Sequence, residues 1–435
     1  MTPDPIVETA VAVTVETSRV VLPNGLVLIV RENHANPSIA LQGLVKAGAL
    51  FDPPGKSGLG AFVAAMLDQG TATRTAFEQA SAVESLGASL RFEGGSETVS
   101  FHGNMLSGDL EEVLAALADA LRNPVFPPEP IEQIRGELVN EYRIAENNTS
   151  SVAARRANEL LYPSEHPYHH PPAGTESSLL AITRDDLAGF HARHYGPERT
   201  LLVLVGDVTA ARASELVEAA FGSWERAKDA PPFRVPGVPA PKAPRTMAVP
   251  RPGKSQTDVV VALPGVARTD PDFYAAMMMN YVLGGASLSS RLMDSLRDRE
   301  GLVYGVYSGL MSGIGAGPIQ IRAGTNPANA GRATAAILEE ISKLHRDGPT
   351  EQEMEEAKGY LTGVFPVRLE TNAGVAGQLL TAELYGLGLD YIERYLSIIR
   401  GVTRDQAHQA ARKFLRTEAY ALVTAGPVEE GAVAS

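Results

Sequence analysis

Two similar α+β domains, each an antiparallel sheet with helices packed on one face, make up the architecture that this sequence predicts. Length comes first. A chain of 435 residues, 44% hydrophobic and 20% charged, has the composition of a globular protein and exceeds one ordinary core. Second, eight prolines crowd residues 231–252. That density cannot continue a helix or an inner strand, so it reads as a stiff extended linker. It divides the chain into an N-terminal half at 15–228, a linker at 229–245 and a C-terminal half at 246–430. Third, segments recur. Ile182-Thr-Arg-Asp185 precedes a helical segment and the strand Leu201–Gly206, and Val402-Thr-Arg-Asp405 precedes the same pair ending in Ala421–Val428, with one constant offset and no gap. Ile131–Leu138 resembles Met354–Leu361 at nearly the same offset. Two near-constant offsets point to duplication into two domains rather than to a solenoid.

The elements follow in order. Arg19–Leu22 and Leu26–Val30 read as a hairpin closed by Asn24-Gly25, a pair suited to the positive φ of a type I′ turn. Ser38–Lys46 and Thr98–Asn104 are further strands, and Leu110, Val113, Leu114, Leu117 and Leu121 form the buried face of a helix. The second half offers strands near 257–263, 303–311 and 317–322, then helices across 326–345, 350–366 and 372–416, with breaks. Strands followed by helices and a closing strand suggest α+β domains.

Between the third strand and the next lies Gly58–Gly70. Ser57 is its expected N-cap, and Leu59, Phe62, Val63, Met66 and Leu67 keep the spacing of an apolar helix face. The opposite face carries Ala61, Ala64 and Ala65, at positions 1, 4 and 5 of a five-residue window. In the H-x-x-E-H pattern of inverted zinc peptidases those positions hold two histidine ligands and a general base. Alanine offers a metal no lone pair.

Composition excludes other classes. A net charge of −13 without a concentrated Lys/Arg stripe argues against nucleic acid. No window approaches a membrane span. The absence of cysteine excludes disulfides and thiolate sites. Met1–Glu8 lacks a basic region followed by an apolar block, so a cytoplasmic location is expected, or a periplasmic one if a leader has been trimmed.

The chain resembles the pitrilysin/insulinase family, which includes mitochondrial processing peptidases and bacterial relatives. Leu22-Pro-Asn-Gly-Leu26 matches its L-x-N-G-L turn, and Gly58-Leu-Gly-Ala61-Phe-Val-Ala64-Ala65-Met66 aligns with G-L-x-H-x-x-E-H-M. His166-Pro-Tyr168, Gly174-Thr175, Gly284-Gly285 through Arg291-Leu292, and Gly301-Leu-Val-Tyr304-Gly305 follow in family order. The resemblance implies two repeats closing as a clamshell, which forms a peptidase only with a second clamshell. It also implies a third zinc ligand, for which Glu141, in the run Glu137–Glu141, is the nearest match in its spacing from Ala65. Read by itself, Glu141 is a solvated helix carboxylate.

Arg297 and Tyr304 match the family's substrate-gripping Arg/Tyr pair. A guanidinium can donate two hydrogen bonds to a peptide carbonyl, and a phenol can donate to a developing oxyanion. Without that context they are an arginine at a helix C-terminus and a half-buried strand tyrosine; Arg299 is a less well-placed substitute. The His166, His169 and His170 cluster, broken by prolines, reads as an exposed loop, and His191 and His194 as surface residues. The expected function is a non-catalytic subunit of a heterodimeric zinc peptidase acting on peptides or unfolded segments. Zinc would then lie in an H-x-x-E-H paralogue and none in this chain. The alternative is a structural protein of the same fold, like the family's respiratory-complex core subunits.

Overall fold

The structure, a computed structural model, describes residues 17–427 apart from 240, 287 and 288. The outermost ends of the two expected halves (15–16 and 428–430), Val428 of the recurring segment, and Ser287 and Leu288 of the glycine-containing motif lie outside the described residues.

The first half contributes β1 (Thr17–Val21), β2 (Val27–Glu32), β3 (Ser38–Val45), β4 (Ser89–Gly94), β5 (Val99–Leu106) and β6 (Thr200–Gly206). The second contributes β7 (Arg245–Pro250), β8 (Thr257–Pro264), β9 (Val303–Leu310), β10 (Pro318–Thr325) and β11 (Ala421–Gly426). Their sheets run β1-β2-β6-β3-β5-β4 and β7-β11-β8-β10-β9. Apart from β1, the two orders coincide strand for strand.

Each sheet is mixed rather than wholly antiparallel. β6 lies parallel to β2, and β11 parallel to β7, while the other pairs are antiparallel. A strand that returns through helices can enter parallel to its neighbour, which a hairpin cannot do.

The duplication extends to side-chain roles. Thr183 and Thr403 each cap a helix, Arg184–His194 and Arg404–Phe414, through capping boxes. Arg184 then donates to the Phe126 and Val125 carbonyls, and Arg404 to those of Pro349 and Asp347. Both arginines thus tie down the chain just before the helices Pro128–Asn147 and Glu351–Arg368.

The halves exchange helices. Thr149–Leu161, from the first half, lays Ala153, Ala154 and Ala157 against Val260 and Ala262 of β8 and Ala421, Val423 and Ala425 of β11. Its counterpart in the second repeat, Asn372–Leu384, lies on β3 and β6, where Ala376 and Leu379 join Ile29, Val203 and Val205 in one core. Polar ties accompany the exchange. Asn33 donates to Asn372 (2.7 Å), Gln42 to the Ala373 carbonyl (2.9 Å), and Thr149 to Asp258. Arg19 grips Glu383 with two bonds of 2.8 and 2.9 Å. Within each half the helices do lie on one sheet face; the other face is covered by the opposite half. This explains the apolar runs of β6 and β8 and the complete burial of β11, since a strand covered on both faces has no solvent side.

One local expectation is corrected. Leu22 N–H bonds the Leu26 carbonyl at 2.9 Å, leaving the three-residue loop Pro23-Asn24-Gly25. Among non-glycine described residues only Phe126 and Asp229 have positive φ, so Asn24 does not; Gly25 has φ 102°. A type I′ turn needs positive φ at both central residues, whereas a three-residue loop needs it only at the glycine, and proline favours the preceding turn.

Candidate functional site

The alanine-bearing helix spans Leu59–Met66 and starts from Gly58, whose φ of 91° is in the left-handed region. Ser57 does not cap it; its hydroxyl donates to the Pro171 carbonyl at 2.8 Å. The cap is Asp52, which accepts from Gly58 N–H at 2.7 Å and Gly60 N–H at 2.8 Å. A carboxylate there satisfies free amides at the positive end of the helix dipole. Burial pushes the Asp52 carboxyl up to about 7, against the pull of those amide bonds. Gly174, also left-handed at φ 80°, crosses so close that a Cβ on it would lie 2.5 Å from the Ser57 carbonyl oxygen.

Ala61 and Ala65 are partly exposed, but Ala64 is buried, at 1% exposure, and packs into the first-half core rather than facing away from it. β4 presses against this helix. A Cβ on Gly94 would stand 2.5 Å from the Ala61 Cα. Glu141 lies exposed on the helix Pro128–Asn147 and has no hydrogen-bond partner among the described residues.

Arg297 and Tyr304 occupy the second half. Arg297 belongs to the widened helical turn Met293–Arg299, whose end is closed by Gly301 at φ 60° and by the Leu302 N–H bond to the Leu296 carbonyl. Tyr304 follows at the start of β9, the edge strand, where the register with β10 shifts between Gly324 and Thr325. Its side chain is 68% exposed. The Arg297 guanidinium touches Met293 Sδ at 4.0 Å and pairs with no carboxylate among the described residues. Arg299, by contrast, is engaged with Asp294 at 2.6 Å. The turn therefore presents one uncommitted guanidinium and one uncommitted phenol.

Residues 27–166 match the insulinase domain (peptidase family M16), and residues 181–361 match the peptidase M16 inactive domain. The chain belongs to peptidase family M16. An uncharacterized zinc protease of Mycobacterium bovis is 30% identical over 419 residues, covering 94% of this chain and 93% of the relative. One from Bacillus subtilis is 24% identical, covering 93% and 97%. Among solved structures, a peptidase M16 inactive domain from Pseudomonas fluorescens superposes with TM-score 0.88 at 27% identity, covering 95% of this chain and 98% of that one. A protease from Helicobacter pylori shares the fold at TM-score 0.88 and 21% identity, covering 95% and 99%.

The M16 zinc pattern can be tested against this helix. Three methyl groups at 61, 64 and 65 supply neither ligand nor base, and a lone exposed Glu141 does not make a site that needs three or four ligands. The residues do not fit zinc.

The histidines correct the surface expectation. His166 is buried; its ring stacks on Tyr162 at 4.8 Å, and Nε2 bonds the Pro236 carbonyl at 3.0 Å, pinning the linker. His194 is buried between Phe51 and Phe190, and half-buried His191 bonds the Leu121 carbonyl at 2.9 Å. Burial pushes both His191 and His194 down to about 4. Their helix turns this end toward the core, and neutral imidazole tolerates that position where a charged ring would not. Sequence reasoning also missed Glu97, which accepts bonds from the Ile314 and Gly315 amides across the two halves. Its only signal was an acidic residue in a tight Gly-Gly-Ser turn.

Proposed function

We propose that this chain is the non-catalytic, substrate-gripping subunit of a heterodimeric zinc metallopeptidase that cleaves peptides or unfolded segments. The observation that carries the reading is a contrast within one chain. The metal positions hold Ala61, Ala64 and Ala65, while Arg297 and Tyr304 stand exposed and uncommitted seven residues apart. Its likeness to a Pseudomonas fluorescens inactive domain supports the same division.

In this role Arg297 donates N–H bonds to a carbonyl oxygen of the bound peptide, and the Tyr304 hydroxyl donates to the oxygen that gains negative charge as the bond is attacked. Zinc and the general base belong to an H-x-x-E-H paralogue. The test is reconstitution. The isolated chain should cleave nothing, a mixture with such a paralogue should cleave peptides, and Arg297→Ala or Tyr304→Phe should depress the mixture's turnover. Stable association with other proteins, together with turnover indifferent to both substitutions, would instead indicate the structural-protein alternative.

A further inference from the structure

A cavity of about 470 Å³ opens between the halves, within the size range of small-ligand pockets. Tyr168 and His170 from the first half, and Met311, Arg322 and Tyr385 from the second, line it together with Glu97. The Glu97 carboxylate is already satisfied, since it accepts from the Tyr168 hydroxyl, from Ile314 N–H at 2.9 Å and from Gly315 N–H at 3.2 Å. His170 Nε2 bonds the Ser164 carbonyl at 2.8 Å.

Arg322 is different. Along β10, Ile319, Ile321 and Ala323 enter the second-half core, which leaves Gln320 and Arg322 on the opposite face. Gln320, 2% exposed, donates to Asn158 at 2.7 Å on the exchanged helix and accepts from Arg322 Nε at 3.1 Å and Nη2 at 2.6 Å. A neutral amide orients the guanidinium but leaves its charge unbalanced, and Arg322 pairs with no carboxylate among the described residues. A guanidinium has five N–H donors in a planar fork, so donors remain for a ligand carboxylate. The same face carries Val260 and Ala262 toward its centre and, two residues along from Val260, Asp258, whose carboxylate accepts from Thr149 and from Gln256 at 3.1 Å and makes no ion pair with Arg322.

The cavity also lies on a path from the proposed grip. Arg322 pairs in register with Tyr307, three residues along β9 from Tyr304, or roughly 10 Å of strand. Tyr304, Tyr307 and Met311 are 68%, 49% and 45% exposed, and Met311 reaches the cavity. Tyr385 on the far wall stands against Arg268, which is itself ringed by Phe273 and Tyr391.

We propose that this cavity takes the C-terminal end of a peptide, with the free carboxylate on Arg322 and the last side chain against Met311, Tyr168 and Tyr385. The proposal rests on the peptide-gripping reading and deepens it by naming which end of the peptide is held. It is tested on the full chain alone by calorimetric titration with N-acetylated Ala-Ala-Phe bearing a free carboxylate, and with the same peptide as its C-terminal amide. The acid should bind at one site, at least tenfold tighter than the amide. Arg322→Gln should lower acid binding to the amide's level without shifting the melting temperature, and Arg322→Lys should recover part of it. Equal affinity for acid and amide, absence of binding, or acid binding unchanged in Arg322→Gln would overturn the proposal. Displacement of the acid by equimolar inorganic phosphate or acetate would assign a general anion site and overturn it too. If Arg322→Gln does not fold, the acid–amide comparison on the unaltered chain decides. No partner is required, so failure here leaves the roles of Arg297 and Tyr304 standing, and lost turnover with intact peptide binding separates the two.

Discussion

The two halves share strand order, helix exchange, threonine capping boxes and carbonyl-binding arginines, yet they differ where a helix meets the edge strand. In the first half the meeting is between Leu59–Met66 and β4, with Gly94 on the strand permitting an approach of 2.5 Å from a virtual Cβ to Ala61 Cα. In the second it is between Tyr281–Gly285 and β9, with Gly284 on the helix, where a Cβ would stand 2.7 Å from Ser308 N. Both contacts are too close for a side chain at the glycine. The first half then shows only alanine methyls, whereas the second continues into Arg297 and Tyr304. The two equivalent scaffolds thus present different side chains, and the proposed grip rests on one of them.

The sharpest way to break this comparison is kinetic. Removing one charge-stabilising donor costs about 10²–10³ in turnover in comparable sites, so Tyr304→Phe should slow the reconstituted mixture about a hundredfold. Arg297→Ala should act on the same scale, and neither should change the chain's own melting temperature. Normal turnover in both would leave the halves equally inert.

Next is Ala64→Glu, which restores the carboxylate of the zinc pattern at a position 1% exposed. Burying it unpaired should cost about 2–4 kcal/mol in urea unfolding. Ala65→Glu, partly exposed, should cost less than half of that. A negligible loss at 64 would show that the helix has kept room for its missing base.

The exchanged helices should respond alike. Ala153→Leu and Ala376→Leu, at matching positions of the two helices, each overpack a fully buried contact and should each cost about 1–3 kcal/mol. A leucine tolerated at only one of them would break the equivalence.

The smallest effect is on acid stability, and it belongs to the first half alone. His191 and His194 are held near pKa 4, while the equivalent residues of the second half are Ala411 and Phe414, both buried. The folded state resists protonation that the unfolded chain accepts near 6.5. Their contribution is therefore complete above pH 6.5 and lost as pH falls toward 4. By pH 5.5 the loss should be about 1 kcal/mol per histidine. His191→Gln and His194→Phe should flatten that part of the stability profile.

Much of this was readable in the chain. The recurring segments reflect real equivalence because Thr183/Arg184 and Thr403/Arg404 do local work, capping a helix and bonding nearby carbonyls, that sequence motifs record. β4 was not foreseen. Ser89-Leu-Arg-Phe-Glu-Gly94 has two apolar residues and lies at a sheet edge, where one side of the strand needs no apolar partner. The burial of His166 and His194 was equally hidden, since an imidazole looks the same in sequence whether it meets water or a ring from Tyr162 or Phe51.

By itself the sequence determined that this chain has two α+β repeats, that Ala61, Ala64 and Ala65 cannot ligate zinc, and that Arg297 and Tyr304 stand seven residues apart. These follow from side-chain chemistry and local periodicity, which act over a few residues. Only the tertiary structure decided that each half covers the other's sheet, that Asp52 rather than Ser57 caps the alanine helix, and that Arg322 lines a cavity between the halves with no ion pair to a carboxylate among the described residues. Those outcomes depend on which groups distant in the chain exclude water from one another, and burial of that kind is set by packing rather than by neighbours in sequence.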